Sequence, residues 1–466
     1  MVDLIYKVST ENRACKQTPT LYALAICARS NDPTTKSAAY KILGSVCRIP
    51  THLFEFVKYC EEVSAGTYTG WGRAQRVAIG KWYNEKKPKE LAYLVTKYKK
   101  RRGWSHRDVV RLAHVKPRDK KINMVLKYVV TNMKSANLEY PFDKSEEDVK
   151  SFLDDVEAAK KCTREDIDKL CGLIEDHELV REHVPTELLA SKEIWEQLFR
   201  KMPMMAMLRS LGKMSSLGSL TSGSFEEELV VNKLNNKEFL KSTRIHPFSL
   251  LVALKQYKTG HGSKGKLSWS VNTTVTTALE GAFYAAFEFV PPTRKRYLLA
   301  VNVSGPMCRP VFGSSGIKAF EASLAMVLLT AKTEANVEVI TFSQEYTKLD
   351  IKKDDTLDSV MKKCEDLQCS VADCSKPMQY AMKKKKEFDV FIVYTDSEIG
   401  RSTVHPAEAL RQYREYSKIK DARLIVVGMV SNEFTVADPN DPLMMDIVGF
   451  DTDAPKAMMN FVNGMF

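Results

Sequence analysis

The hydrophobic periodicity of the chain changes once, at the adjacent prolines Pro291 and Pro292. Before these prolines, apolar residues recur at spacings near 3.6, which predicts helices almost throughout. After them, short β-rich runs alternate with helical patterns, and such alternation predicts a doubly wound, parallel sheet. The chain is therefore expected to form a helical region at residues 1–289 and an α/β domain at residues 290–466.

Individual elements follow from the same periodicity. In the helical region, helices are predicted at 20–30, 34–47, 51–63, 73–85, 146–161, 164–173, 185–201, 204–211 and again after 226, with a serine- and glycine-rich loop at 211–225. In the α/β domain, strands are predicted at 296–303, 337–342, 388–394 and 423–429, separated by helices at 316–332, 357–365, 375–386 and 406–416. The succession of helix pairs favours an irregular solenoid, although the letters show no fixed repeat.

Positive charge is concentrated in one window, from Trp71 to Lys121. This window holds 17 lysines and arginines against 4 acids, a net charge of +13, whereas the whole chain has a net charge of +12 (70 against 58). The rest of the chain therefore sums to about −1. Such a patch is typical of a surface for an anionic partner. Nucleic acid is the commonest such partner, and an acidic protein or an acidic membrane is less common. A solvated face with scattered lysines is the alternative, but Trp71, Trp82 and Trp104 interleave with the charge and favour binding.

Residues 91–117, within that window, predict two short helices. Leu91, Leu94, Val95 and Tyr98 form the apolar stripe of the first helix, and Gly103 is predicted to stop it. Ser105 and Asp108 predict a capping box that begins the second helix, with Val109, Leu112 and Ala113 facing inward. The candidate binding residues are Lys97, Lys100 and Arg101 on the first helix, and Arg107, Arg111 and His114 on the second. Lysine and arginine at such spacing suit phosphate contacts.

Gly260 to Lys266 nearly spells a phosphate-binding loop, G-x-x-x-x-G-K. A phosphate-binding loop must follow a strand and open a helix, but residues 250–257 read as helix and Leu267 stands where a magnesium-binding hydroxyl is needed. We therefore favour a flexible basic connector over a nucleotide-dependent enzyme. No nucleophile–base pair stands in a credible context either, so we predict no enzyme activity and no cofactor.

The first strand of the α/β domain runs into Asn302-Val-Ser304-Gly-Pro306, and the third runs into Thr395-Asp396-Ser397-Glu398. In order and position, these strand ends resemble those of a metal-binding von Willebrand factor A (vWA) domain whose metal ligands are eroded. Asn302 stands where the metal-binding pattern has Asp, Pro306 replaces a Ser, and Ala372 occupies the place of a Thr. Only Ser304 and Asp396 match the pattern. Because hard cations need several anionic oxygens, we predict no metal site.

Several longer motifs resemble one family. They are VCRIPTHLF (46–54), WGRA (71–74), KWYNEK (81–86), VTKYKKRRGWSHRDVVRLAH (95–114), RIHPF (244–248), YKTGHG (257–262) and GFDT (449–452). Together with the vWA-like domain, they are similar to the Ro family, which carries the telomerase, Ro and vault (TROVE) module. The resemblance implies a ring of HEAT-like helical repeats that closes on the vWA domain. This chain begins inside the module as the family has it, so we expect closure either to use residues 1–16 or to be incomplete.

The resemblance also implies a function. In the family, the outer basic surface binds small Y RNAs, and single-stranded ends of misfolded noncoding RNA pass through the hole. Lys97, Arg101 and His114 match the family positions associated with Y RNA. The expectation is a noncatalytic RNA-binding monomer involved in RNA quality control, with protein partners at the vWA-like domain. A scaffold whose basic patch binds an acidic protein is the alternative.

No apolar run approaches the roughly 18 residues of a membrane span, and the first residues lack a secretory pattern. The ten cysteines are scattered, without disulfide or zinc spacing. We therefore expect no membrane partner and a cytoplasmic location, with the nucleus as a second compartment.

Overall fold

The computed structural model describes the chain except for residues 12, 15, 66–69, 132–146, 264, 312–313, 344, 366–372, 397–403, 431–435 and 466. The chain divides into two compact units, Met1–Met202 and Pro203–Phe466. The division lies inside the helical region, so the second unit contains helices as well as the α/β domain.

The first unit is helical. Its α-helices are Val2–Thr10, Gln17–Ala28, Pro33–Lys41, Leu43–Val46, Pro50–Val63, Arg73–Glu85, Pro88–Lys97, His106–Ala113, Lys120–Thr131, Glu147–Lys161, Ile167–His177 and Lys192–Arg200. Short 3-10 helices lie at Arg164–Asp166, Arg181–His183 and Thr186–Ala190. One continuous apolar core joins these helices from Val2 to Leu198. Prolines at the first turn of the helices that begin at Pro33, Pro50 and Pro88 explain why these helices begin where they do.

One local prediction in the first unit is wrong. The helix that was expected to run to Gly103 ends at Lys97, and a β-hairpin follows it, with strands β1 (Lys100–Arg101) and β2 (Trp104–Ser105). Arg102 and Gly103 form its turn with φ of 54° and 88°. Positive φ at both central residues is what a type I′ hairpin turn requires. Gly103 therefore closes a hairpin instead of ending a helix.

The second unit begins with helices and ends with a sheet. The helices before the sheet are Met204–Ser216, Phe225–Asn235, Lys237–Thr243, Pro247–Lys258 and Thr273–Ala285, followed by a 3-10 turn at Ala286–Phe289. The first of these helices continues five residues past Leu211, so the loop predicted at 211–225 is shorter than expected. Contacts such as the edge-to-face pair Phe248–Phe450 and the Lys255–Glu321 ion pair hold these helices to the α/β part of the unit.

The sheet is central to the α/β part. Its strands are β3 (Arg296–Asn302), β6 (Asn336–Phe342), β7 (Tyr346–Lys348), β8 (Val390–Thr395), β9 (Arg423–Gly428) and β10 (Met444–Val448), in the spatial order β10-β9-β8-β3-β6-β7. A small separate hairpin pairs β4 (Pro310–Val311) with β5 (Ser314–Lys318). The accompanying helices are Ala319–Thr333, Leu357–Lys362, Lys376–Lys383, Pro406–Ser417 and Ala454–Val462, with a 3-10 turn at Gly305–Cys308.

The four predicted strands are confirmed, but the sheet is mixed and not wholly parallel. Strand β7 pairs antiparallel with β6 at one edge, and β10 extends the other edge in parallel. Both were missed because each is a short edge strand, of three residues in β7 and five in β10, and such short runs are ambiguous. The order places β3 beside β8, so the carboxyl ends of these two strands meet. No helix in the described part of the chain combines the length and the apolar character needed to cross a membrane.

Candidate nucleic-acid interface

The β1–β2 hairpin leads directly into the helix His106–Ala113, and together they carry most of the predicted binding residues. Five of these residues are exposed and form what we call the basic surface: Lys100, Arg101, Arg107, Arg111 and His114. The predicted capping box fixes the start of the helix: the Asp108 backbone N–H donates to Ser105 Oγ (3.3 Å), and the Ser105 backbone N–H donates to Asp108 Oδ2 (3.0 Å). The only acid of this helix is therefore held by its cap and not by a cation of the basic surface.

The two sides of this helix are sharply divided. His106, Val109, Val110 and Ala113 are buried, whereas Arg107 and Arg111, one turn apart, face solvent. The sequence placed Leu112 on the buried side, but this side chain is 44% exposed. His114 ends the helix in the left-handed conformation with φ 49°. An exposed imidazole at that place can donate to a phosphate oxygen or lie against a base.

Lys97 differs from the other predicted residues because it is half-buried. Its Nζ donates to the Tyr93 hydroxyl (3.0 Å) and lies 5.1 and 5.4 Å from the ring centres of Tyr93 and Tyr98. Burial lowers the pKa of this ammonium, but the hydrogen bond and the nearby tyrosines and Glu182 outweigh burial and leave the pKa raised. Lys97 is therefore a charged residue held between aromatic rings, and not a freely exposed flank residue.

Acidic neighbours do not neutralise the basic surface. Within the described residues, no carboxylate lies within 4 Å of the side-chain nitrogens of Lys100, Arg101, Arg107 or Arg111. Arg102, at the hairpin turn, is different: its Nε lies 2.9 Å from Oε1 of the buried Glu55. The chain therefore uses one arginine to attach the hairpin to the helix Pro50–Val63, while the neighbouring cations face solvent.

The three tryptophans of the window separate into core and surface residues. Trp82 is 1% exposed, and its indole N–H donates to the Cys47 carbonyl, so it belongs to the core. Trp71 and Trp104 are half-buried, with ring centres 5.7 Å apart, and pack on the edge of the core beside the hairpin. The indole N–H of Trp71 donates to Glu61 Oε1 (2.8 Å).

A buried histidine positions the basic surface, and sequence reasoning missed it. His106 Nδ1 and the Tyr83 hydroxyl are 2.7 Å apart, and the imidazole packs edge-on against Phe54. Burial lowers the pKa of His106 to about 3, so this side chain is neutral at pH 7. The spacing did carry a signal, because His106 lies at i of the i, i+3, i+4 and i+7 series that contains Val109, Val110 and Ala113. What the sequence does not name is its distant partner, Tyr83.

The strand ends of the α/β domain hold a buried polar cluster. Asn302 Nδ2 donates to Asp396 Oδ1 (3.1 Å), and Ser304 Oγ donates to Asp396 Oδ2 (2.6 Å). Asn302 Oδ1 in turn accepts from the Ser304 backbone N–H (2.7 Å). Both carboxylate oxygens thus accept from protein donors, and the amide nitrogen of Asn302 points at the place where a cation would need an anionic oxygen. The residues do not fit a divalent metal; Ala372, Ser397 and Glu398 lie outside the described residues.

Two loops were singled out by sequence motifs. In RIHPF, His246 caps the helix that begins at Pro247, with its Nδ1 accepting from the Phe248 N–H (3.1 Å). The segment that begins at Gly260 follows a helix and does not begin another one, as expected for a segment that is not a phosphate-binding loop. The prediction of a flexible connector is wrong, because the segment is a hydrogen-bonded hairpin.

Comparison with known proteins agrees with this architecture of a helical module followed by a vWA domain. The TROVE domain family matches residues 2–176 and 174–256, and the Ro60 vWA domain family matches residues 296–462. The chain therefore belongs to the Ro family of TROVE and vWA proteins.

Two curated relatives and a solved structure extend the match. The chain is 38% identical to the RNA-binding protein RO60 of Caenorhabditis elegans, over 98% of this chain and 80% of that protein. It is 34% identical to the RNA-binding protein RO60 of Deinococcus radiodurans, over 97% of this chain and 82% of that protein. The crystal structure of the Deinococcus radiodurans RO (RSR) protein superposes with a TM-score of 0.89 at 33% identity, over all of this chain and 91% of that one.

Proposed function

We propose that this chain is a noncatalytic RNA-binding protein whose basic surface holds a small structured noncoding RNA of the Y RNA class. The observation that carries the proposal is a set of exposed cations that have no acidic partner among the described residues, on a hairpin and helix that the core holds in place. The names of the two curated relatives support RNA as the ligand. The proposal has further parts. They are passage of single-stranded RNA ends through a closed ring, a role in RNA quality control, protein partners at the vWA domain, a monomeric state and a cytoplasmic or nuclear location.

The chemistry of the surface suits an RNA backbone. Arg107 and Arg111 present planar guanidinium groups one turn apart, and such groups bind phosphate oxygens in bidentate fashion. Lys100 and Arg101 add two cations on the adjoining strand. In the part of the chain that the structure describes, no ion pair holds these four cations, so phosphates would displace water and counterions from them. Phosphate contacts of this kind position an RNA by its shape.

The test is reversal of two charges, Arg107→Glu with Arg111→Glu, in the full chain. Binding of a labelled stem-loop RNA is measured by fluorescence anisotropy at several salt concentrations. We expect at least about tenfold weaker binding at physiological salt, and a slope of log Kd against log salt that is smaller by about 1.5, since two phosphate contacts are lost.

The matched control reverses two exposed cations elsewhere in the same unit, Arg164→Glu with Lys169→Glu, which makes the same change in net charge. The control is expected to bind RNA nearly as the wild type does. Equal losses in both variants would mean that only the total charge matters, and an unchanged affinity of the Arg107/Arg111 variant would refute the basic surface as the binding site.

A further inference from the structure

The second unit contains its own concentration of positive charge. From Phe239 to Leu279 the chain has six lysines and arginines and not a single Asp or Glu. This stretch includes the Gly260–Lys266 segment, for which the phosphate-loop motif offered no credible function. A stretch of 41 residues without an acid is unusual in a chain with 58 acids among 466 residues.

In the middle of this stretch, residues 260–263 and 265–269 form a hairpin, which we call the 260–269 hairpin; residue 264 lies outside the described residues. The Gly262 N–H donates to the Leu267 carbonyl (2.8 Å), and the Trp269 N–H donates to the Gly260 carbonyl (2.8 Å). His261 pairs antiparallel with Ser268 between these two bonds. Gly260 and Gly265 have φ of 71° and 83°, which only glycine adopts at little cost. The glycines of the motif thus serve the turn geometry of a hairpin.

The base of the hairpin is fixed to the helices beneath it. Trp269 stacks on Tyr257 with ring centres 6.1 Å apart and planes 16° apart, and its indole N–H donates to the Tyr257 carbonyl (3.0 Å). The ring also lies so close to Gly212 that a Cβ there would be 2.7 Å from it. Gln256 Nε2 donates to the His261 carbonyl (2.8 Å). The hairpin is therefore held in one orientation before any ligand arrives.

Exposed side chains of the hairpin and of the helix end before it include two lysines. Lys258, His261 and Lys266 are exposed, and Leu267 beside them is 38% exposed. Lys258 Nζ lies 3.9 Å from Glu280, at the outer limit of an ion pair, and no other ion pair involves these three residues within the described part of the chain. Such a long, exposed ion pair contributes little to the stability of the unit, so these side chains are available to a ligand.

We propose that the 260–269 hairpin and the end of the helix Pro247–Lys258 form a second RNA contact, in which Lys258 and Lys266 bind backbone phosphates and His261 and Leu267 lie against a base. The proposal rests on the RNA-binding function proposed above. Cations beside a flat ring and an exposed aliphatic group match the alternation of charge and apolar face along a single RNA strand. A hairpin fixed in advance loses little conformational freedom on binding, which favours affinity.

The experiment compares Lys258→Ala with Lys266→Ala in one full-length variant against the control Lys383→Ala with Lys384→Ala, which removes two exposed lysines from the same unit. The probe is a labelled stem-loop RNA with a single-stranded tail, measured by anisotropy, and a 4-thiouridine version of it is crosslinked to the wild-type protein. We expect about 3- to 10-fold weaker binding for the hairpin variant alone. The crosslinked peptide should include residues of the 260–269 hairpin.

Thermal denaturation checks the fold of both variants, and the exposed positions predict an unchanged Tm. Equal affinity of the hairpin variant and the wild type, or equal weakening by the control, would overturn this inference. If the Arg107/Arg111 variant still loses binding in that case, the proposed function stands and only the second contact falls. If the wild type itself binds neither RNA probe, both proposals fall.

Discussion

At the scale of single residues, Asn302 stabilises the buried Asp396 carboxylate by hydrogen bonding, where a metal site would stabilise it with a cation. The Asp396 carboxylate is buried at the meeting of β3 and β8, where an anion needs compensation. The amide of Asn302 and the hydroxyl of Ser304 supply donors to its two oxygens. The side-chain atom at this position decides between a hydrogen-bonded carboxylate and a metal site. Aspartate in place of Asn302 would present an acceptor oxygen where the amide nitrogen now presents a donor.

The substitution Asn302→Asp tests this interpretation. It places a second carboxylate at hydrogen-bonding distance from Asp396, so the variant should be less stable than the wild type by roughly 1–3 kcal/mol without a divalent cation. Added Mg²⁺ or Mn²⁺ should restore much of that loss, because the two carboxylates and Ser304 then offer oxygen ligands. Thermal denaturation with and without the cation is the measurement.

Asn302→Ala is the control for this substitution, because it removes the amide donor without adding an acceptor. Its Tm should fall and should not respond to Mg²⁺. A cation response in the wild type as large as that in Asn302→Asp would show that the amide does not replace the cation.

At the scale of secondary-structure elements, the β1–β2 hairpin decides how the basic surface is presented. Each of its strands has only two residues, so strand pairing alone does not hold the hairpin in position. Its position depends on the turn and on a side-chain contact with the neighbouring helix. The turn depends on positive φ at Arg102 and Gly103, and the anchor is the ion pair of Arg102 with Glu55. Lys100 and Arg101 hold their places because these two features fix the strand that carries them.

Gly103→Ala therefore tests the element without removing a charge. Space is not limiting, since nothing lies within 4 Å of a Cβ at this position, but φ of 88° strains any residue with a Cβ. We expect a loss of about 1–2 kcal/mol in the free energy of unfolding in urea. RNA binding should weaken a few-fold, because Lys100 and Arg101 shift.

Gly80→Ala is a control of opposite sign. Gly80 lies inside the helix Arg73–Glu85 and also has open space around its Cβ position, so alanine should stabilise the protein by roughly 0.5–1 kcal/mol. A stability of Gly103→Ala equal to that of the wild type would contradict the account of the hairpin turn.

At the scale of the whole molecule, three histidines with a lowered pKa connect folding to pH. Burial lowers the pKa of His106 to about 3, and that of His246 to about 4. Burial, followed by the charges of Lys99, Lys160 and Lys97, lowers the pKa of His183 to about 4. Two of these side chains pack between elements. His106 contacts Tyr83 and Phe54, and His183 Nε2 and Thr96 Oγ1 are 3.0 Å apart although 87 residues separate them in the chain.

The direction of the pH effect follows from linkage. The folded pKa values lie below the unfolded value of about 6.5, so the unfolded chain binds more protons between these pH values. The stability from neutral histidines is fully present above about pH 6.5 and is lost as the pH falls toward 4. Each histidine should contribute a slope of up to about 1.4 kcal/mol per pH unit in that interval. Urea unfolding from pH 7 to pH 4 measures it.

His183→Gln isolates one contribution to this slope. Glutamine keeps a polar partner for Thr96 but does not titrate, so the variant should lose less stability between pH 6 and pH 4 than the wild type, although it is less stable at pH 7. Parallel curves for the variant and the wild type would exclude His183 as a source of the acid sensitivity.

Much of the fold could be predicted because its signals are local. The helix Arg73–Glu85 was predicted to the residue, and the capping box of Ser105 and Asp108 was identified from two letters three positions apart. Helical periodicity, helix caps and strand composition depend on residues that are close together in the chain, so they can be identified from the sequence alone. The same locality explains the misses, since edge strands such as β7 and a hairpin with two-residue strands have too few residues to form a pattern.

The sequence by itself determined the change from helices to an α/β domain, the location of the surplus charge and the residue types at the strand ends. Only the tertiary structure decided that Trp82 is core, that Lys97 lies between two tyrosine rings, that Arg102 pairs with Glu55 and that Asn302 donates to Asp396. The physical reason is distance along the chain: Arg102 and Glu55 are 47 residues apart, and Asn302 and Asp396 are 94 apart. Burial and hydrogen bonding depend on partners that are distant in the chain, and a local sequence pattern does not identify these partners.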